Sequence, residues 1–177
     1  MSTETLDFVR REIKSLHSLY NNVMQDIDDA QFNHVPAGGN QNIAFCLWHY
    51  VRTEDNIVQF IFQRQPTVWM NGGWNQKFGL DSKAQGTGFT DDEARGFRIG
   101  SVSDFKSYMA DVWKSTEAYL AQLTPDDLAR NVTVRPLGEM PALRCLSDMV
   151  MTHGYRHLGE IEFAKGLTGK RGSSTGI

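Results

Sequence analysis

Apolar residues recur every three or four positions along four stretches of the chain, which is the spacing of one face of an α-helix. The first stretch covers about residues 4–28, and its apolar face comprises Leu6, Val9, Ile13, Leu16, Tyr20, Val23 and Ile27. The others cover about residues 42–65, from Ser101 or Ser103 to about Leu123, and about residues 141–165. The pattern predicts four long helices, separated by polar loops such as HVPAGGNQN.

The second predicted helix differs from the others because its first half, NIAFCLWHYV, is apolar nearly all round. A helix of this kind is usually buried on several sides. Pro66 is expected to end it, and Gly166 is expected to end the fourth helix. The second helix is therefore predicted to lie in the centre of the fold.

A long connection, residues 66–100, separates the second helix from the third and contains Trp69, Trp74 and several glycines. Loops of this length are uncommon unless they are functional or hold short elements. The segment TDDEARGF predicts a short helix, with Thr90 as N-cap and Glu93 completing a capping box. The two tryptophans are compatible with a pocket wall, a cover over the core or a contact across a dimer.

The region between the third and fourth helices carries weaker signals. TPDD predicts a short turn or helix with Thr124 as cap and Pro125 at the first helical position, and NVTVRPLGEM alternates weakly, as in a short extended segment. We therefore predict an all-α fold, a four-helix bundle, in one domain over residues 1–168 with a flexible tail over 169–177. The long connection between helices two and three allows a crossover, so a simple up-down-up-down order is not required.

Composition and charge narrow the classes of partner. The 177 residues are 40% hydrophobic and 22% charged, as in a globular domain, and the net charge of −3 argues against nucleic-acid binding. The polar N-terminus has no signal-peptide core, and no run approaches the ~20 apolar residues of a membrane span. Cys46 and Cys145 are too few for a disulfide framework and are expected to be buried thiols. We expect a cytoplasmic protein that binds neither nucleic acid nor membranes.

Two histidines lie one turn apart in the fourth helix, within MTHGYRHLGEIE. Steps of three and four give one inward-facing seam that comprises Leu143, Leu146, Val150, His153, His157, Glu160 and Ala164. Side chains four apart on a helix have Cβ atoms about 5–6 Å apart, so both imidazoles can reach one metal ion. The pair alone is a weak motif, because two hydrogen-bonded histidines at the edge of a core have the same spacing.

A third histidine, His49, lies in the most apolar helix. An unpaired polar group there would cost about 1–3 kcal/mol. A lone buried histidine is usually satisfied by a carbonyl or a carboxylate, but His49 is expected to face a seam that already holds His153 and His157. One metal ion bound by all three histidines would explain why they occur on these inward faces. His17, on the first helix, and His34, in a polar loop, are interpreted as non-ligands.

The two histidine segments together, LWHYVRTEDN and MTHGYRHLGEIEFAKGL, resemble the DinB/YfiT-like family of small helical metalloproteins. The segment WMNGGWNQKFGL is also similar to that family, and the resemblance spans about residues 5–168. It implies a four-helix bundle that binds a divalent metal ion through His49, His153 and His157. Some relatives are transferases or isomerases that use low-molecular-weight thiols. The family name refers to DNA damage, but it does not imply DNA binding.

Three neutral imidazoles would leave the charge of a divalent ion uncompensated and one coordination position open, as in catalytic zinc sites. Such an ion would favour ionisation of a bound water or thiol. The same site therefore suits hydrolysis and thiol transfer. Imidazole suits several metals, among which zinc is the first expectation and nickel the second.

Other residues near the histidines are candidate helpers. Glu160 is the candidate catalytic residue: it could act as general base, orient a ligand, be a fourth ligand, or pair with Arg156 at the surface. Thr53 and Asn56 continue the line of His49 and would contact substrate or line the end of the bundle. Glu54 and Asp55 are expected at the surface or behind the ligands, and Cys46 is a less favoured ligand.

We therefore predict a metal-dependent enzyme, a hydrolase or a thiol-dependent S-transferase, that acts on a small molecule such as a low-molecular-weight thiol and forms a homodimer. One alternative is a non-catalytic, stress-related or storage protein whose metal is structural, with a closed site. The other is a dimeric helical bundle without metal. No residue in the sequence identifies the substrate.

Overall fold

The computed structural model describes residues 1–175, and most of these lie in helices. The predicted predominance of helix is confirmed, and the described residues add one two-stranded sheet. Within this range, no helix combines the length and the apolar character needed to cross a membrane. The predicted tail reaches residue 177, and its last two residues lie outside the described part of the chain.

The first helix is shorter than predicted. Helix α1 spans Thr3–Val23, and a separate helix α2 spans Asp29–Phe32. The new helix begins because the Asp28 carboxylate accepts a hydrogen bond from the backbone N–H of Gln31 at 2.8 Å, in a capping box. The carbonyl of Val23 is satisfied by the ammonium of Lys165, which donates to it at 2.8 Å.

The second and fourth predicted helices each contain a π-helical segment. Helix α3, Ile43–Asp55, continues as a first π segment over Asn56–Phe62, while helix α8, Ala142–Cys145, continues through a second π segment, Leu146–Thr152, into helix α9, His153–Leu167. Such segments are rare and are frequently found at functional sites. The prediction that Gly166 ends the last helix is wrong: α9 runs to Leu167, and Gly169 adopts the left-handed conformation, with φ of 81°.

The connection between the second and third long helices holds three short ones: α4, Val68–Asn71; α5, Trp74–Lys77; and α6, Asp91–Gly96. The predicted capping box of Thr90 and Glu93 is present at the start of α6. Helix α7 spans Val102–Gln122, and the weakly alternating segment forms an antiparallel hairpin of β1, Asn131–Val134, and β2, Gly138–Pro141.

The long helices pack in an order that differs from their order in the chain. Helices α1 and α3 each pack against α7 and α9. The side chains of α1 and α3 meet in the centre, where the rings of Tyr20 and Tyr50 stack with centroids 4.8 Å apart. As predicted, α3 is buried on nearly all sides. Its close packing on α9 brings the two histidine-bearing helices together.

Gly154 permits the close approach of α9 to α1 and α3. A Cβ atom at this position would lie 2.6 Å from Leu16 Cδ2 and 2.7 Å from Tyr50 Cζ, whereas one at Gly159 would meet nothing within 4 Å. We expect Gly154→Ala to lower the free energy of unfolding by about 1–3 kcal/mol through overpacking. Gly159→Ala is the matched control and should raise it by about 0.5–1 kcal/mol, the usual helical gain.

Urea unfolding of both variants, followed by circular dichroism, checks this prediction. A Gly154→Ala protein that is as stable as the Gly159→Ala protein would contradict the close packing at this position.

Candidate metal centre

The structure brings the three predicted histidines together at one point. His49 projects from α3 and meets His153 and His157 from the first two turns of α9. The Nε2 atom of His153 lies 3.2 Å from Nε2 of His49 and 3.0 Å from Nε2 of His157. The three rings are nearly perpendicular to one another, with interplanar angles of 88°, 87° and 79°. Three nitrogen lone-pair positions therefore face a common centre.

Acceptors behind two of the rings define which nitrogen carries the proton. The Nδ1 atom of His49 lies 2.5 Å from the backbone carbonyl oxygen of Gln85, and Nδ1 of His157 lies 2.6 Å from Oε2 of Glu160. A carbonyl and a carboxylate can only accept, so each Nδ1 is the protonated nitrogen. In its neutral form, each ring then presents the Nε2 lone pair to the centre, which is the usual arrangement of metal-binding histidines.

The surroundings of His153 fit a bound cation. Its buried Nδ1 lies near the carbonyl of Met149 but has no hydrogen-bond partner of adequate geometry among the described residues. A neutral His153 has one proton, which cannot satisfy both neighbouring Nε2 lone pairs. A tetrahedral zinc ion with Zn–N distances of about 2.0–2.1 Å would hold its ligand nitrogens about 3.3 Å apart. The distances of 3.0 and 3.2 Å fit such an ion.

The surroundings keep His49 and His153 neutral. Burial, together with the neighbouring His157, lowers the pKa of His49, and burial with the adjacent His157 and His49 lowers the pKa of His153 to about 3. Neutral imidazole is the form that binds a metal ion. The hydrogen bond from His157 lowers the pKa of Glu160, so this carboxylate is ionised behind its histidine.

Glu160 lies on the outer side of His157, away from the point where the Nε2 atoms meet. Its Oε2 also accepts a hydrogen bond from Nε2 of Gln41 at 3.1 Å. Glu160 makes neither an ion pair nor a hydrogen bond with Arg156 in the described structure, contrary to the surface-pair interpretation.

Ligand atoms of Cys46, His157 and Glu160 lie within 4.8 Å of one another and form a second candidate group. Burial, followed by the charge of Glu160, raises the pKa of Cys46, so its thiol stays protonated.

A cavity of about 1080 Å³ opens over the three histidines. Thr53 and Asn56 line it, as the sequence predicts for residues that continue the line of His49. Two other parts of its wall were not predicted: the segment 85–88, and the β1–β2 hairpin. Gly86 permits the segment 85–88 to approach α3 closely. Its φ is 81°, and a Cβ atom there would lie 3.0 Å from the Phe45 ring. That approach places the Gln85 carbonyl on His49.

Several other candidates lie away from the centre. Trp69 is fully buried in the core, and neither it nor Trp74 lines the cavity. Glu54 and Asp55 are fully buried, so of the two expected positions, at the surface or behind the ligands, the first is wrong. His17 is held between Glu54 and Glu117, and His34 is exposed. Neither histidine belongs to a candidate metal group among the described residues.

The fold and the site together define a class of protein. Its members are mostly helical, and three histidines converge at the base of a cavity. The sequence profile of the DinB superfamily matches residues 12–161, and the chain belongs to this superfamily. The crystal structure of "the conserved protein of locus from Enterococcus faecalis" is similar, with a TM-score of 0.79 and 18% identity over 96% of this chain and 99% of the other. At this identity the likeness shows the fold alone. No curated protein matches the sequence significantly.

Proposed function

We propose that this protein is a metal-dependent enzyme that binds one divalent ion, zinc or nickel, through His49, His153 and His157. The observation that carries the proposal is the convergence of three Nε2 atoms at the base of an open cavity. An open cavity favours a reactive site over a purely structural one, because structural zinc sites have four protein ligands and are closed. The reaction is of the hydrolase or thiol S-transferase type, on a small molecule.

Each residue around the site has a separate task in this proposal. Gln85 and Glu160 fix the rings of His49 and His157 through their Nδ1 protons, so Glu160 is a positioning residue in place of a fourth ligand. Thr53 and Asn56 line the cavity and offer polar contacts to the substrate. When bound, the ion would supply Lewis-acid chemistry that acidifies a water molecule or a thiol.

Further expectations from the sequence stay predictions. The four long helical stretches are proposed to form a four-helix bundle in one domain, residues 1–168, and the protein is proposed to be a cytoplasmic homodimer. The exposed side chains of Phe163 and Leu167, one turn apart on α9, support a dimer contact. A low-molecular-weight thiol is the proposed class of substrate.

Elemental analysis of the freshly purified protein tests the proposal. We expect about one zinc or nickel ion per chain, and turnover by the loaded protein in a panel that pairs cellular thiols with electrophilic acceptors and includes simple esters. Stoichiometric metal without any turnover, together with a large fall in melting temperature on chelation, would favour a structural ion. Protein that neither contains nor takes up a divalent ion would refute the metal site.

A further inference from the structure

Three arginines from separate parts of the fold line the cavity above the histidines. Arg64 follows the first π segment, Arg135 lies in the turn of the β1–β2 hairpin, and Arg156 lies in α9 between His153 and His157. None of the residues described as lining this cavity is an aspartate or a glutamate. The whole chain has 21 acidic residues and a net charge of −3. The cavity is thus locally basic in an acidic protein.

No protein side chain pairs directly with these arginines. Within residues 1–175, the side chains of Arg64, Arg135 and Arg156 form no ion pair and donate no hydrogen bond. Some arginines elsewhere do find partners: Arg52 reaches Asp55 at 3.2 Å, and Arg144 reaches Asp148 at 3.2 Å. Guanidinium groups match carboxylates and phosphates in geometry and charge. Three free guanidinium groups at one opening favour an anion in this cavity.

The backbone of Arg64 supports a role for its side chain. Arg64 has φ of 59° and is the one non-glycine in the left-handed region among the described residues. It follows the end of a helical stretch, where the backbone N–H of Gln65 donates to the carbonyl of Gln59 at 3.0 Å. Glycine is the usual residue at such an end. Uncommon backbone conformations cluster at functional sites, and Arg64 itself lines the cavity.

We propose that the substrate carries a carboxylate or phosphate group, which Arg64, Arg135 and Arg156 bind while the reacting atom lies over the histidines. This inference rests on the proposed function and names the class of its substrate. Phe60 and Leu137 line the same cavity and are 52% and 57% exposed, so they offer contact to an apolar part of the molecule. The substrate is therefore a small organic acid and not an inorganic anion.

Isothermal titration of the zinc-loaded protein with two thiols of equal length tests this inference. The probes are 3-mercaptopropionate, which carries a carboxylate, and 3-mercaptopropan-1-ol, which does not. We expect the carboxylate to bind at least tenfold more tightly at low salt and less so at high salt, where exposed charges are screened. Displacement by propionate would identify a carboxylate site, and displacement by inorganic phosphate a phosphate site. Displacement by neither, or equal affinity for both thiols, would overturn the inference.

Variants separate the arginines from the metal. The triple replacement Arg64→Gln, Arg135→Gln and Arg156→Gln should reduce the preference for the carboxylate to less than twofold, with zinc content unchanged. Arg64→Gly alone should reduce it about threefold without lowering the melting temperature, because glycine suits this backbone conformation. Arg144→Gln, outside the cavity, is the control and should keep the preference. Elemental analysis of each sample shows whether the metal site itself has failed, which keeps the two proposals distinguishable.

Discussion

Replacing His153 by alanine is expected to abolish stoichiometric metal binding. His153 lies between the other two candidate ligands, with its Nε2 atom 3.2 Å and 3.0 Å from theirs. Two imidazoles alone make a much weaker site, so zinc or nickel should fall from about one ion per chain to a small fraction after desalting. His49→Ala and His157→Ala should behave alike. Elemental analysis measures the loss, and circular dichroism of each variant verifies that the helices persist.

Control variants distinguish ligands from neighbours. Glu160→Gln should keep the ion but bind it about 10–100-fold more weakly, as is usual when a partner behind a ligand is changed. Cys46→Ser and His34→Ala should retain full metal content. If His153→Ala stays fully loaded while Cys46→Ser loses the ion, then the group of Cys46, His157 and Glu160 is the site, and the three-histidine assignment is wrong.

The three candidate ligand histidines were predictable because their signal is local. The period of α9 places His153 and His157 on the inward face that also carries Val150. His49 is notable as an imidazole in an otherwise apolar helix. Since buried polar groups require partners, the two observations together predict one site. The same periodicity predicted the four long helices, although it missed the early end of α1 at Val23, where capping by Asp28 favours a new helix.

The rest of the site depends on contacts between residues far apart in the chain. Gln85 reaches His49 through its backbone carbonyl, which every residue type possesses, so its identity carries no signal. Arg135 reaches the cavity only because the hairpin folds over it. One usable clue was present: QGTG within the long connection has two glycines, and both Gly86 and Gly88 adopt positive φ beside the cavity. Of the two, Gly86 marks a place where the backbone approaches another group closely.

Glu54 shows why the charge pattern misled. The run RTED at the end of α3 is typical of a solvated helix end, yet Glu54 is fully buried. Its Oε1 lies 3.0 Å from Nε2 of His17, and its Oε2 accepts a hydrogen bond from Tyr50 at 2.7 Å. The partner lies 37 positions earlier in the chain, on a different helix. The same tyrosine packs against the His153 ring, with centroids 6.0 Å apart, so this buried group supports the candidate metal centre.

Glu54→Leu is expected to lower the free energy of unfolding by about 3–5 kcal/mol, the usual effect of removing one partner of a buried ion pair. His17 has acceptors on both ring nitrogens, Glu54 at 3.0 Å and Glu117 at 3.0 Å, and its ring stacks on Trp113. Loss of Glu54 leaves the buried imidazolium with one half-exposed carboxylate and leaves the Tyr50 hydroxyl unpaired. Urea unfolding measures the change, and Glu117→Gln, at the half-exposed partner, is the control with a smaller expected loss.

The pH dependence of stability gives a second test of the same contact. Burial by itself lowers the pKa of His17, but the charge and hydrogen bond of Glu54, with those of Glu117, more than offset it, so the pKa lies above its ordinary value of 6.5. A raised folded-state pKa stabilises the protein fully below about pH 6.5, and this stabilisation is lost as the pH rises through the folded-state value. We therefore expect wild-type stability to fall between about pH 6.5 and the raised folded-state pKa of His17. The fall should shrink in Glu54→Gln, which keeps the size of the side chain but leaves only Glu117 to raise this pKa. Parallel stability curves for the two proteins would show that His17 is not charged in the folded state.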